Sequence, residues 1–313
     1  MTNLDEVYLN IDWPADRPFQ VIGFGLNAVD WICVLPHYPR HDTKVQIEQM
    51  YRLKGGGEVA TASALCARYG LKVRYIGRVG DDEMGRFCLK DLRKEPMDTS
   101  CVEVIAGAFS QFAIIMVDRP TGERTILWDR DPKLRYTEEG LKRDWIVQGQ
   151  ILHLDGHDQA ASIQAARWAH EEGAKVCLDV DKFQAGVEKL LALSDFVFPT
   201  LDFVRQFSGK KNWREGLLQV SETTSGLTGV TRGKRGSAVV WEGAIVEVPG
   251  IEIRAVDTTG AGDIFHGAFV YSLFQDWSLQ RCLRFANTAG ALAYMRYGAR
   301  EGIAQLEEVL RKM

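Results

Sequence analysis

The run with the greatest chemical content is Asp257-Thr-Thr-Gly-Ala-Gly-Asp263, followed without a break by Ile264-Phe-His-Gly-Ala-Phe-Val-Tyr-Ser-Leu-Phe274. The first part is a loop of small residues. The second is too apolar for a surface and predicts a buried helix. A glycine-rich turn at a helix start leaves several backbone N–H groups without intrahelical partners, and the helix dipole adds partial positive charge there. Such a turn attracts phosphate. Moving a phosphoryl group needs positioning and charge stabilisation above all, which the exposed amides of such a loop can supply. Asp263 falls in the first helical turn beside them, placed to take a proton from an attacking hydroxyl. Read alone, Gly-Ala-Gly-Asp would be a tight turn with a capping aspartate. The longer pattern from Val256 to Phe269, with Asp257 and Thr259 upstream, favours the chemical reading. No G-x-x-x-x-G-K-[ST] loop occurs, and no G-x-G-x-x-G follows a strand, so P-loop and dinucleotide folds are unsupported. His266, three residues after Asp263, shares its helix face. The economical expectation for His266 is a buried, space-filling residue bonded to a backbone carbonyl; the sharper one is a partner that tunes Asp263.

Elements able to position these residues are legible along the chain. Residues 1–18 are polar with Pro14 and Pro18 and read as a loose extension. Phe19-Gln-Val-Ile-Gly-Phe-Gly25 is a short apolar run ending at glycine, as buried parallel strands do. Thr43 to Tyr51 and Ser110 to Val117 alternate apolar and polar, and Arg124 to Trp128 follows a Pro120-Thr-Gly turn. These predict a small antiparallel element, a lid built from about 36–53 and 108–130. After residue 137, helical stretches (159–173, 185–193, 201–208) alternate with apolar runs at 151–154, 176–178, 196–198 and 229–231. Strand-then-helix alternation predicts parallel βαβ units. The expected fold is therefore α/β, a three-layer α/β/α sandwich with a mostly parallel central sheet and a small antiparallel β lid, occupying 19–313. A hairpin over 237–248 and helices at 261–275, 278–297 and 304–312 complete it.

Bulk properties exclude other classes. The 313 residues carry a formal net charge of −4, against nucleic-acid binding. The six cysteines are scattered with no C-x-x-C pair, as expected for reduced, buried thiols rather than zinc ligands or disulfides. The opening residues are acidic where a secretion signal needs basic ones, and no run of about 18 apolar residues exists to span a bilayer. The expected location is the cytoplasm, with no membrane partner.

Asp257-Thr-Thr-Gly-Ala-Gly-Asp-Ile-Phe-His-Gly-Ala resembles the C-terminal signature of the ribokinase-like (PfkB) carbohydrate kinases. Two further blocks agree: Gly55-Gly-Gly-Glu-Val-Ala-Thr-Ala-Ser-Ala-Leu with Tyr75-Ile-Gly-Arg-Val-Gly-Asp-Asp-Glu-Met-Gly85, and Gly25-Leu-Asn-Ala-Val-Asp30. The likeness runs from about residue 20 to 312 and is nearest to the sulfofructose kinase branch. It implies ATP with Mg2+ as phosphoryl donor, a small sugar as acceptor, Asp263 as base, and the Gly260–Gly262 amides as anion hole. Asp30, Gly56, Gly57 and Thr61 would face the sugar. Thr231, Gly233 and Gly236, in Val230-Thr-Arg-Gly-Lys-Arg-Gly236, would approach the nucleotide, with Asn287 near the adenine. Asp257 and Thr259 match a monovalent-cation site, K+ being the usual ion. Pairing of two lids into a homodimer is the expected assembly.

The chain departs from the family pattern at three places. The usual Asn-x-x-Glu is Thr200-Leu-Asp-Phe203, which removes a polar pair that helps place magnesium; Asp202, or Asp179 with Asp181, are the candidates to stand in, exposed caps being the alternative reading. The usual Asn after the glycine pair is Thr61. The arginine that the sulfofructose kinase branch uses for a sulfonate falls near Gly156, so a sulfosugar is not the leading acceptor. A nucleoside kinase on the same fold and a non-catalytic sugar-binding regulator are the rival readings. The intact Gly-Ala-Gly-Asp opposes the regulator.

Overall fold

The structure is a computed structural model that describes residues 4–313. In chain order the strands are β1 Phe19–Phe24, β2 Ala28–Leu35, β3 Gln49–Gly56, β4 Val73–Gly80, β5 Asp98–Ile105, β6 Phe112–Asp118, β7 Arg124–Asp129, β8 Gly149–Leu154, β9 Lys175–Leu178, β10 Phe196–Val197, β11 Leu227–Thr231, β12 Ser237–Trp241 and β13 Ala244–Val248. The helices are α1 Glu58–Arg68, α2 Glu83–Leu92, α3 Arg143–Ile146, α4 Gln159–Glu171, α5 Glu188–Leu191, α6 Leu201–Ser208, α7 Trp213–Ser221, α8 Ala261–Ser272, α9 Leu279–Ala293 and α10 Leu306–Lys312.

Nine strands form one sheet in the order β13-β12-β11-β10-β9-β8-β1-β4-β5. From β11 to β5 every neighbouring pair is parallel, and the β12–β13 hairpin closes one edge antiparallel. Parallel strands need crossovers, and the helices that supply them bury apolar stripes on both faces of the sheet. One face packs Leu65, Ile264, Phe265, Phe269, Leu283 and Phe285, largely from α1, α8 and α9. The other packs Ala165, Leu190, Phe203, Val204 and Leu217, from α4 to α7. Helix α8 is covered on nearly every side, which explains why its sequence is apolar all round. This is the three-layer α/β architecture that the alternation implied.

Four strands, in the order β3-β2-β6-β7, make a second sheet beside the first. Its outer pairs are antiparallel and its central β2–β6 pair is parallel. Two local expectations need correction. The alternating stretch 43–51 is not a strand at its start: β3 begins at Gln49, which pairs with Val34 near the end of β2, and the Glu48 amide, donating to the Val34 carbonyl at 3.0 Å, makes the last backbone bond before it. Nor are residues 4–18 loose, residues 1–3 lying outside the described ones. Leu4 is buried, and Val7, Leu9, Ile11 and Trp13 pack on the α8–α9 side, with Trp13 stacked on Phe274 at 4.4 Å. Those apolar residues, scattered among charges, dock onto a surface that exists only once the helices have assembled. All six cysteines are buried and unpaired. Among the described residues no helix is long and apolar enough to cross a membrane.

Candidate active site

A cavity of about 430 Å³ opens where the carboxyl ends of the parallel strands meet the small sheet. In open α/β sheets the crevice at the strands' carboxyl ends is where ligands bind. Here β8 is followed by Asp155 and His157, β9 by Asp179 and Asp181, and β10 by Thr200, while β11 ends at Thr231. Asp30 comes from β2, Ile126 and Trp128 from β7, and Gly260, Gly262 and Asp263 from the start of α8.

Helix α8 begins after Gly260, which is left-handed at φ 75°, and no side chain caps it. A Cβ on Gly260 would lie 2.5 Å from the Ala299 Cα, so only glycine lets the turn press against that loop. Gly262 is exposed, and no atom lies within 4 Å of where its Cβ would be. The first turn of α8 is thus an uncapped, positively polarised helix end facing open space. Asp257 fixes the turn from behind. Its Oδ1 accepts from the Thr259 amide at 2.9 Å and the Thr259 hydroxyl at 2.6 Å, and its Oδ2 accepts from the Gly298 amide at 3.0 Å. From the small sheet, the Arg124 guanidinium donates to the Thr258 hydroxyl at 2.8 Å, spanning from β7 to the same turn. Tyr51 stacks on Tyr297 at 4.9 Å and Lys54 pairs with Glu301 at 2.9 Å, joining β3 to the neighbouring loop.

Burial, with Asp179 adding to it, pushes the Asp263 carboxyl up to about 7, while Arg124 and His266 pull it back. Asp30 is 4% exposed and also rises to about 7 through burial, partly offset by Arg300. A carboxylate near neutrality can either hold or release a proton at working pH, which is what a general base requires. At the far wall, the His157 Nε2 meets both oxygens of Glu58, at 3.1 and 3.3 Å. Asp181 lies close enough to share an ion with them.

The expected site residues fall into three groups. Asp30, Gly57, Thr231, Thr259, Gly260, Gly262 and Asp263 line the cavity together. Gly56, Gly233, Gly236, Ala261, Asp257 and Asn287 stand behind or outside the lining. Gly56 is where Asp30 lies, since a Cβ there would come 2.2 Å from Asp30 Oδ2. Gly236, at φ 80°, has the Val248 carbonyl where a Cβ would be, whereas Gly233 faces open space. Asn287 is buried rather than on a helix surface, and its amide donates to the Val248 carbonyl at 3.1 Å and the Pro249 carbonyl at 3.3 Å. Thr61 is a correction: it is 0% exposed inside α1, so its hydroxyl does not reach the cavity. His266 bonds backbone carbonyls, as the economical expectation had it, and also meets Asp179. At the Asn-x-x-Glu position, Thr200 caps α6 through the Phe203 amide, and Asp202 is exposed beside Arg205. Sequence reasoning missed Glu58, Arg124, His157 and Lys182, and reached Asp179 and Asp181 only as stand-ins for the absent Asn-x-x-Glu pair. For two of the missed residues a signal existed: His157 and Lys182 lie within four residues of the end of a parallel strand.

A family model described as pfkB family carbohydrate kinase matches residues 21–306. The chain is 26% identical to a ribokinase of Haemophilus influenzae over 94% of this chain and 97% of that one. It is 28% identical to fructokinase-1 of Oryza sativa, covering 96% and 99%. Among solved structures, the ribokinase of Arabidopsis thaliana complexed with ribose and ATP superposes with a TM-score of 0.76 at 21% identity, covering 94% of this chain and 98% of that one.

Proposed function

We propose, for a chain that belongs to the pfkB carbohydrate kinase family and is an ATP-dependent sugar kinase, that it transfers the γ-phosphoryl group of MgATP to a hydroxyl of a small sugar, with Asp263 as general base. One observation carries the assignment of roles: Asp263, the open and uncapped turn at Gly260–Gly262, and Asp30 face one cavity. In this reading Asp30 accepts hydrogen bonds from sugar hydroxyls and fixes the acceptor. Asp263, ionised above about pH 7, takes the proton of the attacking hydroxyl. The amides of Ala261, Gly262 and Asp263 receive charge that builds on the transferring phosphoryl oxygens. Thr231 and the open Gly233 turn support the donor side.

The ion expected at Asp257 and Thr259 finds less support. Asp257 meets three protein donors, and the Thr259 hydroxyl is one of them, so neither is left orphaned. No step is routed through that ion. Strand β7, at an edge of the small sheet, leaves Ile126, Leu127 and Trp128 at 42%, 52% and 52% exposure. We propose that two such edges pair in a homodimer, which light scattering would show as a doubled mass.

The test is a panel of ketoses, pentoses, sugar acids and nucleosides, each with MgATP, read by ADP release and by 31P NMR of the product. A phosphorylated sugar supports the reading. Turnover on nucleosides alone moves the assignment to a nucleoside kinase, and ligand binding without ADP release, seen as a thermal shift, moves it to a sugar-binding regulator.

A further inference from the structure

Helix α8 places His266 one turn after Asp263, and the surroundings of that ring fix its chemistry. It is 2% exposed. Its Nδ1 lies 2.9 Å from the Gly262 carbonyl and 3.1 Å from Asp179 Oδ2, and its Nε2 lies 3.0 Å from the Phe198 carbonyl. Carbonyl oxygens only accept, so each ring nitrogen must carry a proton to avoid setting a lone pair against a lone pair. A ring with both protons is an imidazolium, and Asp179, 6% exposed, is the carboxylate that balances it. Buried charges persist when paired and hydrogen-bonded, and this pair is both. Asp179 follows β9 and is held there by the neighbouring β8, its amide donating to the Leu154 carbonyl at 2.9 Å. Both partners line the cavity that holds Asp263.

We propose that Asp179 and His266 form a fixed ion pair in the wall of the cavity that holds the catalytic base, and that the pair acts on Asp263 through its charges. The inference rests on Asp263 being the base. The two halves act with opposite sign: Asp179 raises the Asp263 pKa and His266 lowers it. Within the pair, burial works against the charge on each partner. Even so, Asp179 raises His266 to about 9 and His266 keeps Asp179 low. Other charged groups face the trio. Arg124 on β7 lowers Asp263, and Asp30 on β2 senses its charge. On β8, His153 stacks 6.0 Å from His266, and burial lowers it to about 4, so it is neutral. His157, paired with Glu58, adds positive charge toward Asp179, and Asp181 with Lys182 stands next in the chain.

The pair makes a prediction that a merely structural histidine would not. His266→Asn leaves Asp179 unbalanced, so the acidic limb of the pH–rate profile moves up by about one pH unit. Asp179→Asn leaves the imidazolium unbalanced, and the limb moves down. The double variant returns toward wild type, because both charges are gone. Should His266→Asn fail to fold, Asp179→Asn alone keeps the sign test. The direct readout is the 13C carboxyl titration of Asp263 in labelled protein, assigned by its loss in Asp263→Asn. Opposite shifts in the single variants support the pair. Limbs and titrations unmoved in both, or moved in the same direction, overturn it. Near-normal turnover of Asp263→Asn would instead overturn the base itself, a result the 13C titrations do not depend on.

Discussion

Two glycine-rich turns open two buried helices in this chain, and they are used in opposite ways. Gly55-Gly56-Gly57 precedes α1, and Gly260-Ala261-Gly262 opens α8; each has a left-handed glycine just before its helix, Gly57 at φ 94° and Gly260 at φ 75°. Around the first turn, protein fills the space that side chains would take. A Cβ on Gly55 would meet Asp91 at 2.2 Å, one on Gly56 Asp30 at 2.2 Å, and one on Gly57 the Asn27 Cα at 2.3 Å. In the second, Gly260 is packed in the same way, a Cβ there falling 2.5 Å from the Ala299 Cα, but Gly262 has nothing within 4 Å. The first turn is glycine-rich so that protein groups can approach. The second, at Gly262, leaves room for something the protein does not contain. Glycine content alone does not distinguish a packed turn from a binding turn; what surrounds the missing Cβ does.

Breaking the packed turn should cost stability first. Gly57→Ala combines a strained φ with a backbone clash and should destabilise by roughly 4 kcal/mol, seen as a Tm lowered by about 10 °C. Next in size is Arg300→Ala. Arg300 is 3% exposed, donates to the Gly56 carbonyl at 2.8 Å and pairs with Asp91 at 2.7 Å. Its loss strands the buried Gly56 carbonyl, leaves Asp91 only the exposed Lys94, and should cost about 3 kcal/mol in a denaturant titration. A variant with an unchanged midpoint would mean the turn is not held by that guanidinium.

Gly262→Ala should behave the other way. Its backbone is ordinary and its surroundings empty, so the Tm should stay within about 1 °C of wild type while turnover falls about tenfold, because the methyl intrudes where phosphate must sit. A lowered Tm with normal turnover would erase the contrast between the turns.

The smallest effect concerns pH. Asp30 at the packed turn and Asp263 at the open one both rise to about 7. The native state then binds more protons than the unfolded chain between about pH 4 and 7, so these groups lower stability as pH rises through that window. Catalysis has the opposite sign, since Asp263 must be ionised, and kcat/KM should fall below about pH 7. Asp30→Asn should flatten the stability slope by on the order of 1 kcal/mol per pH unit. An unchanged slope would show that Asp30 is ionised as readily in the fold as outside it.

What the sequence disclosed follows the same division. The βαβ alternation and the apolar α8 were readable because they depend on local periodicity, and the Gly-Ala-Gly-Asp turn because its residue types are tied to one backbone geometry. Thr61 was misplaced because a helix position says nothing of which neighbour covers it; only the assembled fold around α1 buries it. The partnership of His266 with Asp179 spans strand and helix and has no local trace. The docking of Leu4, Val7 and Trp13 was hidden for the same reason. Strand ends were the neglected clue, since His157 and Lys182 follow β8 and β9 into the cavity.

The central claim is that Asp263 is the base at an open anion turn. It is tested most directly by Asp263→Asn under single-turnover conditions with MgATP and the acceptor identified by the sugar panel. The account predicts an unchanged Tm, unchanged nucleotide binding, and a phosphoryl-transfer rate lower by about two to four orders of magnitude. A transfer rate within about threefold of wild type would contradict it, because hydrogen bonding by asparagine cannot replace proton acceptance.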